Sequence, residues 1–451
     1  MTTTLVRGGL LVDELSVRAA DLLLECGRVQ AILSPEQGRV ADNVLDAGGL
    51  HILPGMVDAH VHFNEPGRTD WEGFLTGTSA AAAGGVTTVC DMPLNCHPPT
   101  LDGRALAIKR SAIAEHAVVD YALWGGLVPE SLDHLADLRR DDVVGIKAFM
   151  CDSGLAEFAH LDEFTLAEAM QRAADVRPPV LLALHAEDPI QTERLGQQAR
   201  AEGRRTALDW AASRPPATEL DAVRSALDAA RETGAKLHFV HISTAAAARL
   251  IASARADGLD VSVETCPHYL LLDTADLERL GAFGKCAPPL RGRSEVDALW
   301  EALAEGAIDW VASDHSPCPP EMKLGEDIWS AWGGLAGVQT LLPALLTEGV
   351  HARDLSLPRL VTLTSGTPAR RLGLYPRKGV LEPGSDADLV LVDLEREWTL
   401  TADDLRSRWP INPFVGRTFR GRVVATLVRG AEVWRNGQVQ VAGGYGQPAR
   451  G

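Results

Sequence analysis

The residues best suited to chemistry in this sequence are His60 and His62, which stand one residue apart at the end of an apolar run that begins at Gly55. In a β-strand, residues i and i+2 point to the same face, so both imidazoles can reach one metal ion. Taken alone, the pair fits a metal site and two hydrogen-bonded surface histidines equally well. The rest of the chain has to discriminate between these two interpretations.

After Pro54, short apolar runs typical of strands alternate with longer segments rich in Ala, Leu, Arg and Glu. The longer segments, such as 219–233 and 245–255, carry apolar residues near the helical period. Eight alternations of this kind predict an α/β fold, a (β/α)8 TIM barrel. The competing fold, a doubly wound sheet, lacks the glycine-rich phosphate-binding loop that marks its switch point. The eight runs are 56–62, 86–92, 118–124, 143–149, 180–185, 236–241, 260–264 and 309–314.

Both ends of the chain have a different character, with short β-rich runs separated by Gly, Asp and Asn. Neither end has enough apolar surface to fold stably by itself. We therefore expect residues 1–53 and 377–451 to pair into one small composite β-sandwich domain beside the barrel, which takes residues 54–376. Two independent flaps are the alternative.

Active sites of such barrels form at the C-terminal ends of the strands. Four histidines, one lysine and one aspartate lie at or near the ends of five of the eight runs. Imidazole and carboxylate side chains are suitable ligands for two divalent ions. These residues are His60, His62, Lys147, His185, His241 and Asp314.

Lys147 is the exceptional member of this set, because an ammonium group cannot bind a metal ion. Burial and positive neighbours would lower the pKa of its amine. The neutral amine could then add CO2 and form a carbamate whose two oxygens bridge the ions. The alternative is a buried amine paired with a carboxylate. Alternation along the strand also predicts that His238 faces away from His241, and that only one of Asp314 and His315 faces inward.

Composition limits the classes of partner. The chain has 451 residues, 46% hydrophobic and 23% charged, with a formal net charge of -18 that disfavours nucleic acid. No run approaches the roughly 20 apolar residues that span a bilayer, and the N-terminal run lacks signal-peptide features. Its seven cysteines form no C-x-x-C pair, which is typical of reduced thiols. We expect a cytoplasmic protein without nucleic-acid or membrane partners.

Several motifs together resemble the cyclic-amidohydrolase branch of the amidohydrolase superfamily, and within it the bacterial allantoinases, over essentially the whole chain. Histidine pairs are common across the superfamily, whereas the run from Ser313 to Lys323 and the run from Ala331 to Gly334 are the most specific. The motifs are 57–62 followed by Glu65-Pro66-Gly67-Arg68, Trp71-Glu72-Gly73-Phe74, Asp91-Met92-Pro93-Leu94-Asn95, Cys266-Pro267-His268-Tyr269, 313–323 and Ala331-Trp332-Gly333-Gly334.

The resemblance implies a role for each ligand-type residue. His60, His62 and Asp314 would hold one ion, His185 and His241 the other, and a carboxylated Lys147 would bridge them. Water activated by two ions would attack a ring amide, with Asp314 as general base and then general acid. The ions would be zinc, with cobalt, manganese or iron as alternatives.

The implied reaction is hydrolysis of (S)-allantoin to allantoate in purine catabolism, by a homotetramer with two ions in each subunit. Asn64 and Leu94 stand where a dihydroorotase presents an arginine and an asparagine to its substrate carboxylate, and Asn95 is displaced by one residue. A neutral ring with an amide-like arm therefore suits the site better. Further candidate substrate contacts are His268, Cys286 and Ser316, although Cys286 is equally typical of a small buried thiol.

Three other functions remain as alternatives. A hydantoinase or dihydropyrimidinase-like enzyme also acts on a neutral ring, and a dihydroorotase would need the missing carboxylate contacts. A non-catalytic scaffold would have lost metal ligands, whereas all six ligand positions are filled here.

Overall fold

The computed structural model describes residues 2–37, 39–325 and 327–449 of the 451-residue chain. The strands, in chain order, are β1 (Thr3–Val12), β2 (Val17–Glu25), β3 (Arg28–Leu33), β4 (Asn43–Asp46), β5 (His51–Pro54), β6 (Met56–Val61), β7 (Val86–Asp91), β8 (Asp120–Leu123), β9 (Gly125–Gly126), β10 (Ile146–Phe149), β11 (Leu181–His185), β12 (Lys236–Phe239), β13 (Val261–Thr265), β14 (Trp310–Val311), β15 (Leu389–Thr399), β16 (Thr418–Val428), β17 (Ala431–Arg435) and β18 (Gln438–Val439).

The α-helices are α1 (Phe74–Gly84), α2 (Gly103–Ile113), α3 (Leu135–Arg140), α4 (Glu163–Asp175), α5 (Pro189–Ala201), α6 (Ala207–Ala212), α7 (Pro216–Thr233), α8 (Ala245–Ala256), α9 (Pro267–Leu271), α10 (Thr274–Leu280), α11 (Arg293–Ala304), α12 (Leu341–Ala344), α13 (Leu357–Val361) and α14 (Thr367–Arg371). Short 3-10 helices cover Pro35–Gln37, Pro129–His134, Gly281–Gly284, Pro320–Met322, Val338–Thr340 and Ala402–Asp404, and π-helical turns cover Leu345–His351 and Thr362–Gly366. Within the described ranges, none of these helices is long and apolar enough to cross a membrane.

The parallel strands β6 to β14 close into a barrel. β8 and β9 are two parts of one strand position, since Leu123 accepts from the Val144 N–H at 3.0 Å and Gly125 donates to the Gly145 carbonyl at 2.9 Å. Closure runs through a parallel bridge between Val61 and His315. The structure thus confirms the predicted (β/α)8 barrel, and each of the eight predicted runs overlaps a barrel strand.

The barrel interior is a packed core below the site. Along β11, Leu182 and Leu184 point outward to the helices, while Ala183 points inward and belongs to the interior cluster. Small inward residues leave room for two fully buried tryptophans, Trp124 and Trp310. Such filling is typical of eight-stranded barrels, which are packed cores and not channels.

Side-chain caps set where the barrel helices begin. Asp162 precedes α4 and accepts from the Thr165 N–H at 2.8 Å. Asp188 precedes α5, accepts from the Gln191 N–H at 2.7 Å, and is followed by a proline at the first helical position. These caps satisfy N–H groups that have no partner inside the helix. Each cap therefore fixes the end of a loop that follows a strand.

The two ends of the chain meet in one nine-stranded sheet. Its order is β18-β17-β16-β15-β5-β1-β2-β3, with β4 beside β1. β5 joins the two ends, because it is parallel to β1 and antiparallel to β15. Their alternating apolar residues form a separate buried cluster that includes Val6, Leu22 and Leu389. The ends are therefore not two independent flaps, and the predicted domain boundaries after residues 53 and 376 stay a prediction.

A buried ion cluster ties this sheet to the barrel. The Lys378 Nζ lies 2.5 Å from Asp120 Oδ2 at the start of β8, and 2.7 Å from Asp388 Oδ2 just before β15. Asp386 Oδ2 lies 3.1 Å from the same ammonium, and the Arg429 guanidinium also contacts Asp120. Arg377 Nη2 also lies 2.7 Å from Asp386 Oδ1, so three buried carboxylates depend on three cations for compensation.

We expect Lys378→Met to lower the midpoint of thermal unfolding by several degrees, measured by calorimetry on the metal-loaded protein. Removing one partner of a buried ion pair costs about 3–5 kcal/mol, because the remaining charge stays buried without compensation. Lys236→Met is the matched control, since the Lys236 side chain is 41% exposed and pairs with an exposed Asp260; its effect should stay within about 0.5 kcal/mol. Equal midpoints for the two variants would contradict the stabilising role of the cluster.

Candidate metal centre

Ligand-type side chains from distant parts of the chain converge at the C-terminal end of the barrel. His60 Nε2 lies 3.3 Å from His62 Nε2 and 3.2 Å from Asp314 Oδ1, and His62 Nε2 lies 3.5 Å from the same oxygen. Beside them, His185 Nδ1 lies 3.0 Å from His241 Nε2. The four imidazoles are all buried. The structure therefore brings the predicted histidines and aspartate together as two adjacent groups.

Two buried carboxylates determine which imidazole nitrogens carry hydrogen. Glu264 Oε1 lies 2.6 Å from His60 Nδ1, and Glu187 Oε2 lies 2.8 Å from His185 Nε2. A carboxylate accepts, so the facing nitrogen carries the proton and the other nitrogen of each neutral ring keeps its lone pair. The lone pairs of His60 Nε2 and His185 Nδ1 consequently face the neighbouring histidines.

Burial favours the neutral form of three of these imidazoles, those of His62, His185 and His241. It lowers the pKa of His62 and of His185, against the nearby carboxylates of Asp314 and Glu187, respectively. The pKa of His241 is well below its ordinary value, first because of burial and then because of its cationic and imidazole neighbours. Neutral imidazole is the form that binds metals.

The donor set fits two divalent cations. Facing nitrogen lone pairs repel each other unless a cation or proton lies between them. Within the described part of the chain, Lys147 Nζ is buried beside these groups and has no hydrogen-bond partner. Buried polar atoms without partners are rare in folded proteins and indicate that a ligand belongs there. His60, His62 and Asp314 could hold one ion, and His185 and His241 a second.

Lys147 lies on β10 and is buried at the floor of the same site. Burial lowers its pKa to about 7, although the Asp314 and Glu264 carboxylates act in the opposite direction. Burial is one of the two causes predicted from the sequence, and the effect of positive neighbours stays a prediction. Its Nζ lies 5.1 Å from the centroid of the Phe149 ring and, among the residues described, has no carboxylate oxygen within 4.0 Å. The alternative of a simple ion pair therefore has no support in the structure.

Backbone conformation aims two of these side chains. His241 and Asp314 have φ values of 40° and 46°, in the left-handed region that breaks strand alternation. The prediction that His238 faces away from His241 is wrong for this reason. His238 also points into the barrel, where it stacks on Trp310 with ring centroids 4.1 Å apart. His315, by contrast, points away and its Nδ1 accepts from the Gly337 N–H at 3.1 Å.

A cavity of about 390 Å³ opens above the two ligand groups. Of the predicted substrate contacts, Asn95 and Ser316 line it, and Asn95 Nδ2 lies 3.4 Å from Ser316 Oγ. Leu94, predicted to replace the asparagine that holds a substrate carboxylate, lines it too. The opposite wall comes from distant segments: Arg200, Trp210, Arg214, Lys285, Ala287, Met322 and 329–334.

Three further predicted contacts are buried but do not line this cavity. Asn64 Nδ2 donates to the Pro317 carbonyl at 3.3 Å. Burial lowers the pKa of His268 to about 4, and burial raises the pKa of the Cys286 thiol to about 12. A contact between any of these three side chains and a substrate stays a prediction.

The two carboxylates that hold the histidines were not predicted from the sequence. Glu264 contacts His60 and also accepts from Trp310 Nε1–H at 2.7 Å. Glu187 contacts His185 and lies 2.5 Å from Arg214 Nη1. A signal existed for Glu187, because it stands two residues after a predicted ligand. For Glu264, the signal was its place at the end of a predicted barrel strand.

Two other clusters have ligand-type atoms close together but are otherwise engaged. Cys151 lies near His185 and Glu187, but burial raises the pKa of its thiol to about 12, which disfavours the thiolate that binds metals. Glu187 is already bonded to His185 and Arg214. The second cluster consists of the three carboxylates around Lys378.

The chain is similar to known proteins over nearly its whole length. The sequence model of the amidohydrolase family matches residues 51–433. An allantoinase of Rubrobacter xylanophilus is 49% identical over 446 residues, which is 99% of this chain and 97% of that protein. An allantoinase of Deinococcus radiodurans is 48% identical over 434 residues, 96% of each chain.

Solved structures share the whole fold. L-hydantoinase (dihydropyrimidinase) from Arthrobacter aurescens has a TM-score of 0.96 at 36% sequence identity and covers 100% of both chains. Dihydropyrimidinase from Brevibacillus agri has a TM-score of 0.92 at 34% identity, covering 99% of this chain and 98% of that one. With its barrel, its ligand groups and a family match over most of its length, the chain belongs to the amidohydrolase family.

Proposed function

We propose that this protein is an allantoinase, which hydrolyses the cyclic amide of allantoin to give allantoate. The observation that carries the chemistry is the convergence of four buried imidazoles and the Asp314 carboxylate beside Lys147, below an open cavity. The choice of allantoin follows the curated relatives, which are allantoinases at 41–49% identity. The family's metal dependence agrees with this donor set.

Two divalent ions, zinc in the first place, would be held as the two ligand groups indicate. The lowered pKa of Lys147 leaves a fraction of its amine neutral at physiological pH. Its nitrogen would form a bond to the carbon of CO2 and release one N–H proton to solvent. The resulting carbamate anion would supply an oxygen ligand to each group. When bound, the ions would supply an activated water and polarise the ring carbonyl.

Asp314 would move the proton during hydrolysis. Although burial acts against it, His60 and His62 lower the pKa of this carboxyl to about 2, so the carboxylate is ionised and can accept a proton. The water oxygen bonds to the ring carbonyl carbon, and its proton passes to Asp314. The C–N bond then breaks, and Asp314 returns the proton to the leaving nitrogen. Its position 3.2 Å from His60 Nε2 places it beside the ligand groups throughout.

A neutral substrate suits the cavity. Leu94 offers no polar group to a carboxylate, and the two buried cations on the wall are engaged. Arg214 is paired with Glu187, and Lys285 donates to backbone carbonyls. The hydantoinase alternative is favoured by the solved structures at 34–36% identity, but the curated allantoinases are more similar in sequence. Assembly as a homotetramer is part of the proposal, and light scattering tests it.

The purified, metal-loaded enzyme should open allantoin efficiently and dihydroorotate very poorly. Each charge-assisted hydrogen bond missing for the carboxylate costs about 1.5–3 kcal/mol in a desolvated site, or roughly ten- to a hundredfold in rate. Side-by-side kcat/KM values for allantoin, unsubstituted hydantoin and dihydroorotate measure this. Comparable values for allantoin and dihydroorotate would overturn the assignment, and a preference for hydantoin would favour the alternative.

Lys147→Ala should lose bound metal and nearly all activity, because the bridging oxygens disappear. The wild-type protein should contain about two divalent ions per chain by elemental analysis. Small carboxylic acids such as acetate or propionate should restore part of the activity of the variant by occupying the vacated space. Intact mass of the native, active enzyme without the 44 Da carbamate addition, which is roughly the mass of CO2 expected of any lysine carbamate, would refute the modification.

Glu264→Gln should weaken metal binding roughly 10- to 100-fold, because it removes the negative charge that orients His60 and raises its basicity. Competition with a chromophoric chelator measures this affinity without relying on activity. Glu305→Gln is the matched control, since Glu305 is exposed and pairs with Arg249 at the surface. If Glu264→Gln binds metal as tightly as the control, the carboxylate has no influence on the ligand group.

A further inference from the structure

The two most specific sequence motifs, 313–323 and 331–334, are bonded to each other through one buried lysine. Lys323 ends the first motif and is 5% exposed. Its Nζ donates to the Gly334 carbonyl at 2.9 Å and to the Trp332 carbonyl at 3.1 Å, both in the second motif. A third donation goes to Ala282 at 3.3 Å. The backbone adds a further link, because Trp332 N–H donates to Met322 at 2.9 Å.

A second buried lysine holds the same part of the chain from another side. Lys285 is also 5% exposed, and its Nζ donates to the carbonyls of Ala331 at 2.6 Å and Ile328 at 2.8 Å. Its own carbonyl accepts from the Gly334 N–H at 2.8 Å. The ammonium lies 4.3 Å from the centroid of the Trp210 ring, within cation–π range. Across residues 2–37, 39–325 and 327–449, neither lysine has a carboxylate oxygen within 4.0 Å.

Both lysines therefore act on residues 328–334, which we call the pocket-wall segment. Its residues 329–334 line the cavity above the metal centre. Gly334, with φ of 156°, packs so closely that a Cβ there would lie 2.4 Å from the Ser316 carbonyl oxygen. The segment is thus held between the two ammonium groups and the opposite wall of the cavity.

The lysines occupy carbonyl acceptors of this segment and leave two of its N–H donors without a partner among the described residues. They occupy the carbonyls of Ile328, Ala331, Trp332 and Gly334. Where the structure describes the chain, no hydrogen bond occupies the N–H of Ala331 or of Gly333, although both residues line the cavity. A free backbone N–H in a desolvated pocket can donate to a carbonyl oxygen of a ligand. An apolar group in the same place leaves the N–H without an acceptor, which costs binding free energy.

We propose that Lys285 and Lys323 are specificity-determining positioning residues, which hold the pocket-wall segment so that its free N–H groups donate to the carbonyl oxygen of the ureido arm on the substrate ring. This inference rests on the proposed function. The pocket-wall segment would recognise the ureido arm, whereas the metal centre would carry out the opening of the ring. Unsubstituted hydantoin has the ring without the arm and does not use the segment.

Lys323→Met and Lys285→Met test the proposal, with kcat/KM measured on allantoin and on unsubstituted hydantoin. We expect kcat/KM for allantoin to fall roughly ten- to a hundredfold, mainly through KM, as for the loss of one or two hydrogen bonds. The value for hydantoin should fall much less than the value for allantoin, and the metal content should stay at the wild-type level. Lys236→Met is the matched control, because Lys236 lies at the N-terminal end of β12, away from the metal centre. It should leave kcat/KM for both substrates unchanged.

An equal fall for both substrates with metal retained would overturn the proposal, because the lysines would then support the site as a whole. The wild-type enzyme supplies a second test that needs no variant to fold. A hydantoin with an alkyl arm as long as the ureido group should be opened at least about tenfold less efficiently than allantoin, because it leaves the N–H groups unpaired. Equal efficiency would also overturn it. Wild-type enzyme that opens hydantoin but not allantoin contradicts the proposed function itself.

Discussion

The structure depends on one electrostatic constraint, the need to hold four imidazoles and a carboxylate close together inside a dry barrel. His60 Nε2 and His62 Nε2 lie 3.3 Å apart, and His185 Nδ1 and His241 Nε2 lie 3.0 Å apart. Without a cation between them these contacts are unfavourable, so the surrounding fold has to enforce them. Two carboxylates, Glu264 and Glu187, do so by fixing the tautomer of one ring in each pair.

The barrel can hold these side chains in place because its strands are hydrogen-bonded to neighbouring strands. Strand ends are rigid, so a side chain there can be held within the small tolerance that metal binding requires. Left-handed backbone at His241 and Asp314 costs energy for residues other than glycine. The hydrogen bonds of the surrounding barrel compensate for this conformational cost. As a result, the side chains of His241 and Asp314 point in directions that a regular strand would not allow.

Chemistry and selectivity are built from different parts of the chain. The metal centre uses strand ends, whereas the far wall of the cavity uses helices and loops, among them the pocket-wall segment, which starts more than 260 residues after His60. Two buried ammonium groups bound to backbone carbonyls give those loops the rigidity that a strand gives to the histidines. This division fits a family whose members share the fold and act on different rings. Related hydantoinases superpose over the whole chain and so share the scaffold.

The sequence by itself determined the barrel and the ligand-type residues, because hydrophobic periodicity and the His-x-His spacing are local properties. It also indicated that both chain ends belong together, since neither could bury enough surface alone. Tertiary structure alone decided that His238 and His241 both point inward, because the left-handed backbone at His241 breaks the strand alternation. It alone joined Glu264 to His60 and Lys323 to Gly334. Such contacts arise from barrel closure and loop packing, and no local pattern encodes which distant residues closure brings together.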